Sequence, residues 1–398
     1  MSLARWFVIA FLLLAVAFAG WWFRPWADYA PAVMTRLFHP DHREYLFRHM
    51  EEVFPYRTLP ASSHPLTLPQ GQAQPLPAFF LHDGQRVDTG EFLARTETLG
   101  LMVLRDGQRI FEDYYQGASA TDRFTSWSMA KSLVSSLVAL AVEQGHIRSL
   151  DDSVGHYVSE LDGRAWGAVP IRDLLRMASG MDFEEVYEPQ FSDINMLFYR
   201  TFLLGQPVRQ QLRDLPAARP PGEQFHYLSP NTQILAWLLE RAVGMPISDY
   251  ATQQLWQPLG MQDKALWNLD SAGVELGFCC LNASLRDYAK LGQLYLQQGR
   301  WRGEQLLPEG WVQAATRRPE PWLRAEAING VRGYGYHLWL PPQPDGEYFM
   351  NGVWGQSVWM SERHGIVIAK TSVDPGFEAH MAEVISFMRA VSKALGNL

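Results

Sequence analysis

The chain has 398 residues, a formal net charge of −8, 47% hydrophobic content and 15 Trp, enough for two or three structural units around a large core. The acidic surplus offers no electrostatic grip on nucleic acid, and no internal repeat or low-complexity tract is visible. Two cysteines are too few for a disulfide-dependent scaffold.

The first element is an apolar run from Trp6 to Phe23, flanked by Arg5 and Arg24. Its length meets the lower limit for crossing a bilayer, and Trp21, Trp22 and Trp26 suit a membrane interface. Ala17-Phe18-Ala19 also resembles a signal-peptidase site. Residues 1–26 therefore read as a membrane anchor or a signal peptide, and either route exports the protein: anchored in the cell envelope facing the periplasm or exterior, or cleaved and secreted or periplasmic. Residues 27–77 read as a short helical stretch around Tyr45 to Val53, then an extended tether marked by Pro55, Pro60, Pro65, Pro69, Pro75 and Pro77. His39, His42 and His49 have no cysteine or conventional zinc spacing beside them and read as helix surface. Leu101 to Leu104 and Arg109 to Phe111, joined through Gly107, predict a hairpin.

Ser128-Met129-Ala130-Lys131 opens the next element. Leu133, Val134, Leu137, Val138, Leu140, Ala141 and Val142 follow without a charge until Glu143, and Gly145 stands where a helix stops. Residues three apart share a helix face, so the Lys131 amine can take the proton of the Ser128 hydroxyl, which is a poor nucleophile without an adjacent base. The first helical turn adds unpaired backbone N–H groups and a positive dipole end. Alone, the motif also describes a capping Ser and a solvated Lys. Further on, Met177 to Pro189 is an acidic loop containing Tyr187. Pro221 to Asn231 is a turn presenting Tyr227 and Ser229 at the start of a helix through Leu239 that ends at Gly244. Cys279 and Cys280 precede a helical run with Leu285, Tyr288, Leu291 and Leu294, and read as two packed thiols. Met350 to Gln356, Ser357 to Met360 and Ile366 to Ala369 read as glycine-punctuated strand structure with a hairpin turn.

Three motifs in this order resemble the penicillin-recognising serine hydrolases: serine β-lactamases, penicillin-binding proteins, class C-like esterases and 6-aminohexanoate-dimer hydrolases. The resemblance runs from about Ala78 to the C-terminus and is nearest to the class C-like branch. It implies that Ser128 is acylated, Lys131 is its proton partner and Tyr227 relays a proton to and from the leaving group, with cationic Lys131 favouring a phenolate or a shared proton. It places Ser229 on Lys131 or the substrate, and an oxyanion hole on the backbone N–H groups of Ser128 and Val353. Tyr187, Asn351, Gly352 and Trp354 become substrate-binding candidates, with Gly352 keeping the backbone open to substrate. Tyr187 matches a tyrosine that the corresponding loop of 6-aminohexanoate-dimer hydrolases places over the site, where its phenol could bond a substrate amide nitrogen. Glu184, Glu185, Glu188 or Asp193 could attract a cationic amine there, or form a solvated acidic loop. Trp127, Phe225 and Trp354 adjoin the motifs and could line an apolar acyl pocket.

One departure matters. Where β-lactamases and penicillin-binding proteins have Lys or His, then Thr or Ser, then Gly, this chain has Met350, Asn351 and Gly352. The cation that would greet a penicillin carboxylate is missing, which favours an ester or amide without that carboxylate. No Gly-x-Ser-x-Gly elbow, His-Glu-x-x-His or P-loop offers another scheme. The expected fold is α+β: an antiparallel sheet flanked by helices, from residues 78–127 and 325–398, with an inserted mostly helical domain, 128–324, carrying the nucleophile helix. The expected function is that of a serine hydrolase cleaving a small ester or amide through an acyl-enzyme, needing no metal or organic cofactor. The alternatives are a β-lactamase or D-alanyl-D-alanine peptidase, and a non-catalytic cell-wall binding module.

Overall fold

The computed structural model describes residues 3–24, 30–188, 191–317 and 320–396. A helix spans Leu3–Phe23 with none of its residues buried, long and apolar enough to cross a membrane. Trp26 lies outside the described residues.

The centre of the fold is a seven-stranded sheet, antiparallel throughout. Its order is 333–334, 339–340, 347–352, 356–361, 366–372, 98–105 and 108–114, so the chain's last strands pair with an early hairpin. The hairpin Thr98–Arg105/Gln108–Tyr114 turns at Gly107, whose φ is +78°. Side chains alternate across a strand, and both faces are covered. Leu101, Val103, Phe349, Trp359, Ile366 and Ile368 join a core under the C-terminal helix Met381–Leu395. Met102, Leu104, Val358, Met360, Val367 and Ala369 join the larger core. On that side helix Leu285–Leu296 lies close against the sheet at Gly292, where a Cβ would sit 2.6 Å from Val358 and from Val367. By sequence position this helix falls in the expected helical insert; its small residue instead seats it on the sheet.

Helix Ala130–Glu143, which follows Ser128, is buried from Ala130 to Ala141 and the chain turns at Gly145, φ +75°. Helix Ser229–Val243 ends on Gly244 in the left-handed conformation, as its sequence predicts. Both stand in the mostly helical layer, with the site between that layer and the sheet.

Residues 31–59 differ from the expected short helix and loose tether. Helices Pro31–Met34 and Pro40–Leu46 lead to a strand, Tyr56–Leu59, paired antiparallel with Ala265–Asn268 in a second, four-stranded sheet. Met34, Leu37, Leu46, Phe47, Met50, Val53, Phe54 and Leu59 are core residues. Arg43 adds an ion pair to Glu97 at 2.7 Å. The apolar residues that precede the proline run, together with Leu59 inside it, bury enough surface to hold this segment against the body.

Candidate active site

Ser128 lies in the 3-10 turn Trp127–Met129 immediately ahead of its helix. Trp127 has φ +42°, a left-handed conformation unfavourable for a bulky side chain and characteristic of functional turns. The end of strand Glu347–Gly352 abuts this turn. A Cβ on Gly352 would meet Ser126 O at 2.4 Å and Ser128 N at 3.1 Å, so only glycine allows the approach. Gly352 thus makes room for the serine turn itself, where the sequence suggested room for substrate. Val353 follows it and shares a cavity with Ser128.

Lys131 is 1% exposed, and its Nζ makes three hydrogen bonds: to Ser128 Oγ at 2.8 Å, Ser229 Oγ at 3.0 Å and the Phe278 carbonyl at 3.0 Å. Burial pulls the amine down to about 8, opposed by the nearby Glu185 carboxylate. Ser229 in turn donates from Oγ to Glu185 Oε1 at 2.7 Å and from its backbone N–H to Glu185 Oε2. Tyr187 donates to Glu185 Oε1 at 3.1 Å. Burial holds the Glu185 carboxyl above its ordinary range, against the opposing pull of Lys131 and the hydrogen bonds from Ser229 and Tyr187.

Tyr227 lies near enough to Ser128 for that hydroxyl to act on its phenol, and its ring centre is 5.0 Å from Lys131 Nζ. The expectation that Lys131 would favour a phenolate is reversed. Burial and then Glu185 push the phenol up, while the Ser128 hydroxyl and Arg332 pull it down with less effect. The reason is that burial of the phenol itself outweighs every charge placed around it. Arg332 lies 4.0 Å over the Trp339 ring, with Nε and Nη1 buried and lacking a hydrogen-bond partner; Trp339 packs 5.3 Å from the Tyr227 ring.

A cavity of about 200 Å³ opens beside Ser128, and Tyr187, Ser229, Val353, Trp127 and Trp354 also line it. Asn351 sits in its strand opposite Ser357 and is not in the lining. Phe225 is elsewhere too: its ring packs on Tyr334 at 5.2 Å and on Trp339 at 6.2 Å, because the turn before Tyr227 faces the second core. The two cysteines differ from the expected thiols. Cys279 and Cys280 form a disulfide across a turn with Cα atoms 3.7 Å apart, Cys280 having φ +70°, and Cys279 lines the cavity.

Five contributors escape a motif reading. The Phe278 carbonyl is backbone, so no side-chain pattern signals it. Glu185 was one of several acids, and only the fold selects it. Arg332 is eighteen residues before Met350 and joins the site through a tertiary turn. Met34 and Phe38 come from the segment after the first helix and line the same cavity. Glu184 and Glu188 are exposed, and Asp193 accepts from the Glu184 backbone N–H at 2.8 Å, which is ordinary loop chemistry. No group of three or more His, Cys, Asp and Glu with metal-holding geometry occurs among the described residues.

An antiparallel sheet covered by helices, with a Ser-x-x-Lys pair at the junction of sheet and helical layer, defines the architecture of serine β-lactamases and penicillin-binding proteins. The sequence model described as Beta-lactamase matches residues 89–390, and the chain belongs to that family. It is similar to a protein named 6-aminohexanoate-dimer hydrolase from Paenarthrobacter ureafaciens, 27% identical over 298 residues, 72% of this chain and 76% of that one. Among solved structures it resembles a Bacillus anthracis protein provisionally assigned as a 6-aminohexanoate-dimer hydrolase, with TM-score 0.82, 21% identity and coverage of 90% and 96%. It also resembles EstCE1, described as a hydrolase with promiscuous acyltransferase activity, with TM-score 0.60, 16% identity and coverage of 76% and 96%. The protein is a hydrolase of the serine β-lactamase family.

Proposed function

We propose that the protein cleaves a small ester or amide in two steps through an acyl-enzyme on Ser128, with Lys131 as base and Tyr227 as proton relay. The observation that carries this reading is the 2.8 Å contact between a buried, pKa-depressed amine and the Ser128 hydroxyl. Hydrogen-bond accounting sharpens it. Ser229 spends its own proton on Glu185 and the Phe278 carbonyl is only an acceptor, so both must receive N–H bonds from Lys131. A neutral amine has two such protons, and its lone pair is then left for Ser128.

Attack by Ser128 Oγ on the carbonyl forms the C–O bond as the hydroxyl proton passes to Lys131 Nζ. The oxyanion is received by the backbone N–H groups of Ser128 and Val353. As the bond to the leaving oxygen or nitrogen breaks, Tyr227 donates its proton to that atom and recovers one from the Lys131 ammonium. Water then attacks the ester on Ser128, its proton passing through Lys131, and Ser128 is released protonated. Burial keeps Tyr227 protonated at rest, the form an acid needs.

Apolar Met350, buried in the larger core, offers no charge to a β-lactam carboxylate, which supports an esterase or amidase over a β-lactamase. A pure binding module would have no use for a base aligned on a serine. The apolar helix Leu3–Phe23 supports an exported protein held at a membrane. Intact-mass analysis after exposure to a fluorophosphonate tests the reading: an adduct on Ser128 is expected in the parent and none in Ser128→Ala. Equal labelling of both proteins sinks it.

A further inference from the structure

The cavity beside Ser128 is lined by fourteen residues, none of them Asp, Glu, Lys, Arg or His. Its walls are mostly Met34, Phe38, Trp127, Phe198, Phe278 and Trp354. Glu185 is not in the lining, and its carboxylate oxygens are occupied by Ser229 and Tyr187. Tyr227, the relay to the leaving group, is not in the lining, and the lining phenol of Tyr187 is spent on Glu185, which puts the acyl group in the cavity. A cationic acyl group placed there would be desolvated without a partner, whereas an apolar cavity of about 150 Å³ accepts a benzene-sized hydrocarbon. The volume of about 200 Å³ here suits a chain of about six carbons by the same measure.

One wall comes from the segment that follows the first apolar helix. Phe38 stacks on Trp127 at 5.9 Å and 27° and on Trp354 at 5.9 Å and 15°, although it is itself 40% exposed. An apolar ring left partly open to solvent at the mouth of an apolar cavity is poised to be covered by a ligand. The segment is anchored by the Arg43–Glu97 ion pair and by the backbone bond from Thr125 N–H to Phe47 O at 3.0 Å. Only eight Cα-to-Cα steps separate Phe23 from Pro31, a reach of at most about 29 Å, so this wall stays close to the end of the apolar helix.

Resting on the serine-hydrolase reading, we infer that the acyl group this protein accepts is an uncharged hydrocarbon chain of medium length, gripped between the nucleophile turn and the segment 31–54. This sets it apart from a hydrolase of the 6-aminohexanoate dimer, whose acyl half ends in an ammonium group.

The test is a kcat/KM series on the full chain in detergent micelles with p-nitrophenyl acetate, butyrate and hexanoate, and with the 6-aminohexanoate ester as the charged match to hexanoate. Hexanoate is expected to exceed acetate by at least about 10-fold, given up to about fourfold per buried methylene, and to exceed 6-aminohexanoate by about 100-fold. Phe38→Ala should shrink the hexanoate-to-acetate ratio by about 5-fold and Phe38→Leu by less. A dihexanoyl glycerolipid separates two sources of such a chain: its turnover assigns the chain to lipid, turnover of nitrophenyl esters alone assigns it to small soluble esters, and both support the inference. Equal rates on acetate and hexanoate, or a 6-aminohexanoate rate matching hexanoate, overturn it. A chain-length preference that persists undiminished in Ser128→Ala overturns the serine reading and leaves the pocket standing.

Discussion

Lys131 and Lys370 lie in different parts of the molecule and are equally buried, each 1% exposed. Burial pulls both amines down to about 8. Lys131, in the nucleophile helix, spends its nitrogen on Ser128, Ser229 and the Phe278 carbonyl. Lys370 stands in strand Ile366–Ser372, and its Nζ has no hydrogen-bond partner, although Asp374 lies near enough to oppose the shift. A desolvated amine is therefore not a site by itself. What distinguishes Lys131 is that its neighbours leave one direction open, and a hydroxyl occupies it.

The comparison breaks most sharply at Ser128 and Lys131. Ser128→Ala and Lys131→Met should each lower ester kcat/KM by about 10⁴-fold, as removal of a nucleophile or its base does elsewhere, while Lys370→Met should leave it within about twofold. Steady-state kinetics on the three variants decide this. A comparable loss in Lys370→Met would erase the distinction.

Stability moves the other way. Lys370 has a folded pKa below its unfolded value of 10.5, so its cost to folding is complete below about pH 8 and disappears as pH rises to the unfolded pKa. Lys370→Met should therefore stabilise the fold by up to about 3 kcal/mol at pH 7, with the gain vanishing above about pH 10.5. Denaturant melts at both pH values check magnitude and sign.

Smaller effects test the electrostatics around Lys131. Because the neutral amine is the base, kcat/KM should rise with pH through about 8. Arg332 pulls the Tyr227 phenol down, so Arg332→Met should leave Tyr227 a weaker acid. Amide turnover should fall by about 10-fold and nitrophenyl ester turnover, with its better leaving group, by less. Glu185 raises the Lys131 pKa, so Glu185→Gln should shift the rising limb of the pH profile to lower pH by less than about one unit. An alkaline shift would show that Glu185 acts by some other route.

Where a motif places its residues on one helix, the reading from sequence alone succeeds. Ser128 and Lys131 are one turn apart on a helix whose apolar run and terminal Gly145 announce it, and Gly244 closes its partner as expected. Tyr227 and Ser229 were legible for a similar reason, since a turn entering a helix fixes their direction. The strand motif gave its position but not its role: Gly352 faces the serine turn, and Asn351 pairs within the sheet. Phe225 was misplaced because adjacency in sequence says nothing about which of two cores a loop residue faces.

Local periodicity and ordered motifs thus determined the family, the α+β plan and the core of the candidate site, since each depends on spacings that the backbone converts directly into shared faces. Tertiary structure alone decided the surroundings. It selected Glu185 among several acids, brought Arg332 to Tyr227, closed Cys279 onto Cys280 and folded Met34 and Phe38 over the cavity. Those choices depend on how separately folded elements bury one another's apolar surface, and that packing is not written in the spacing of any one segment.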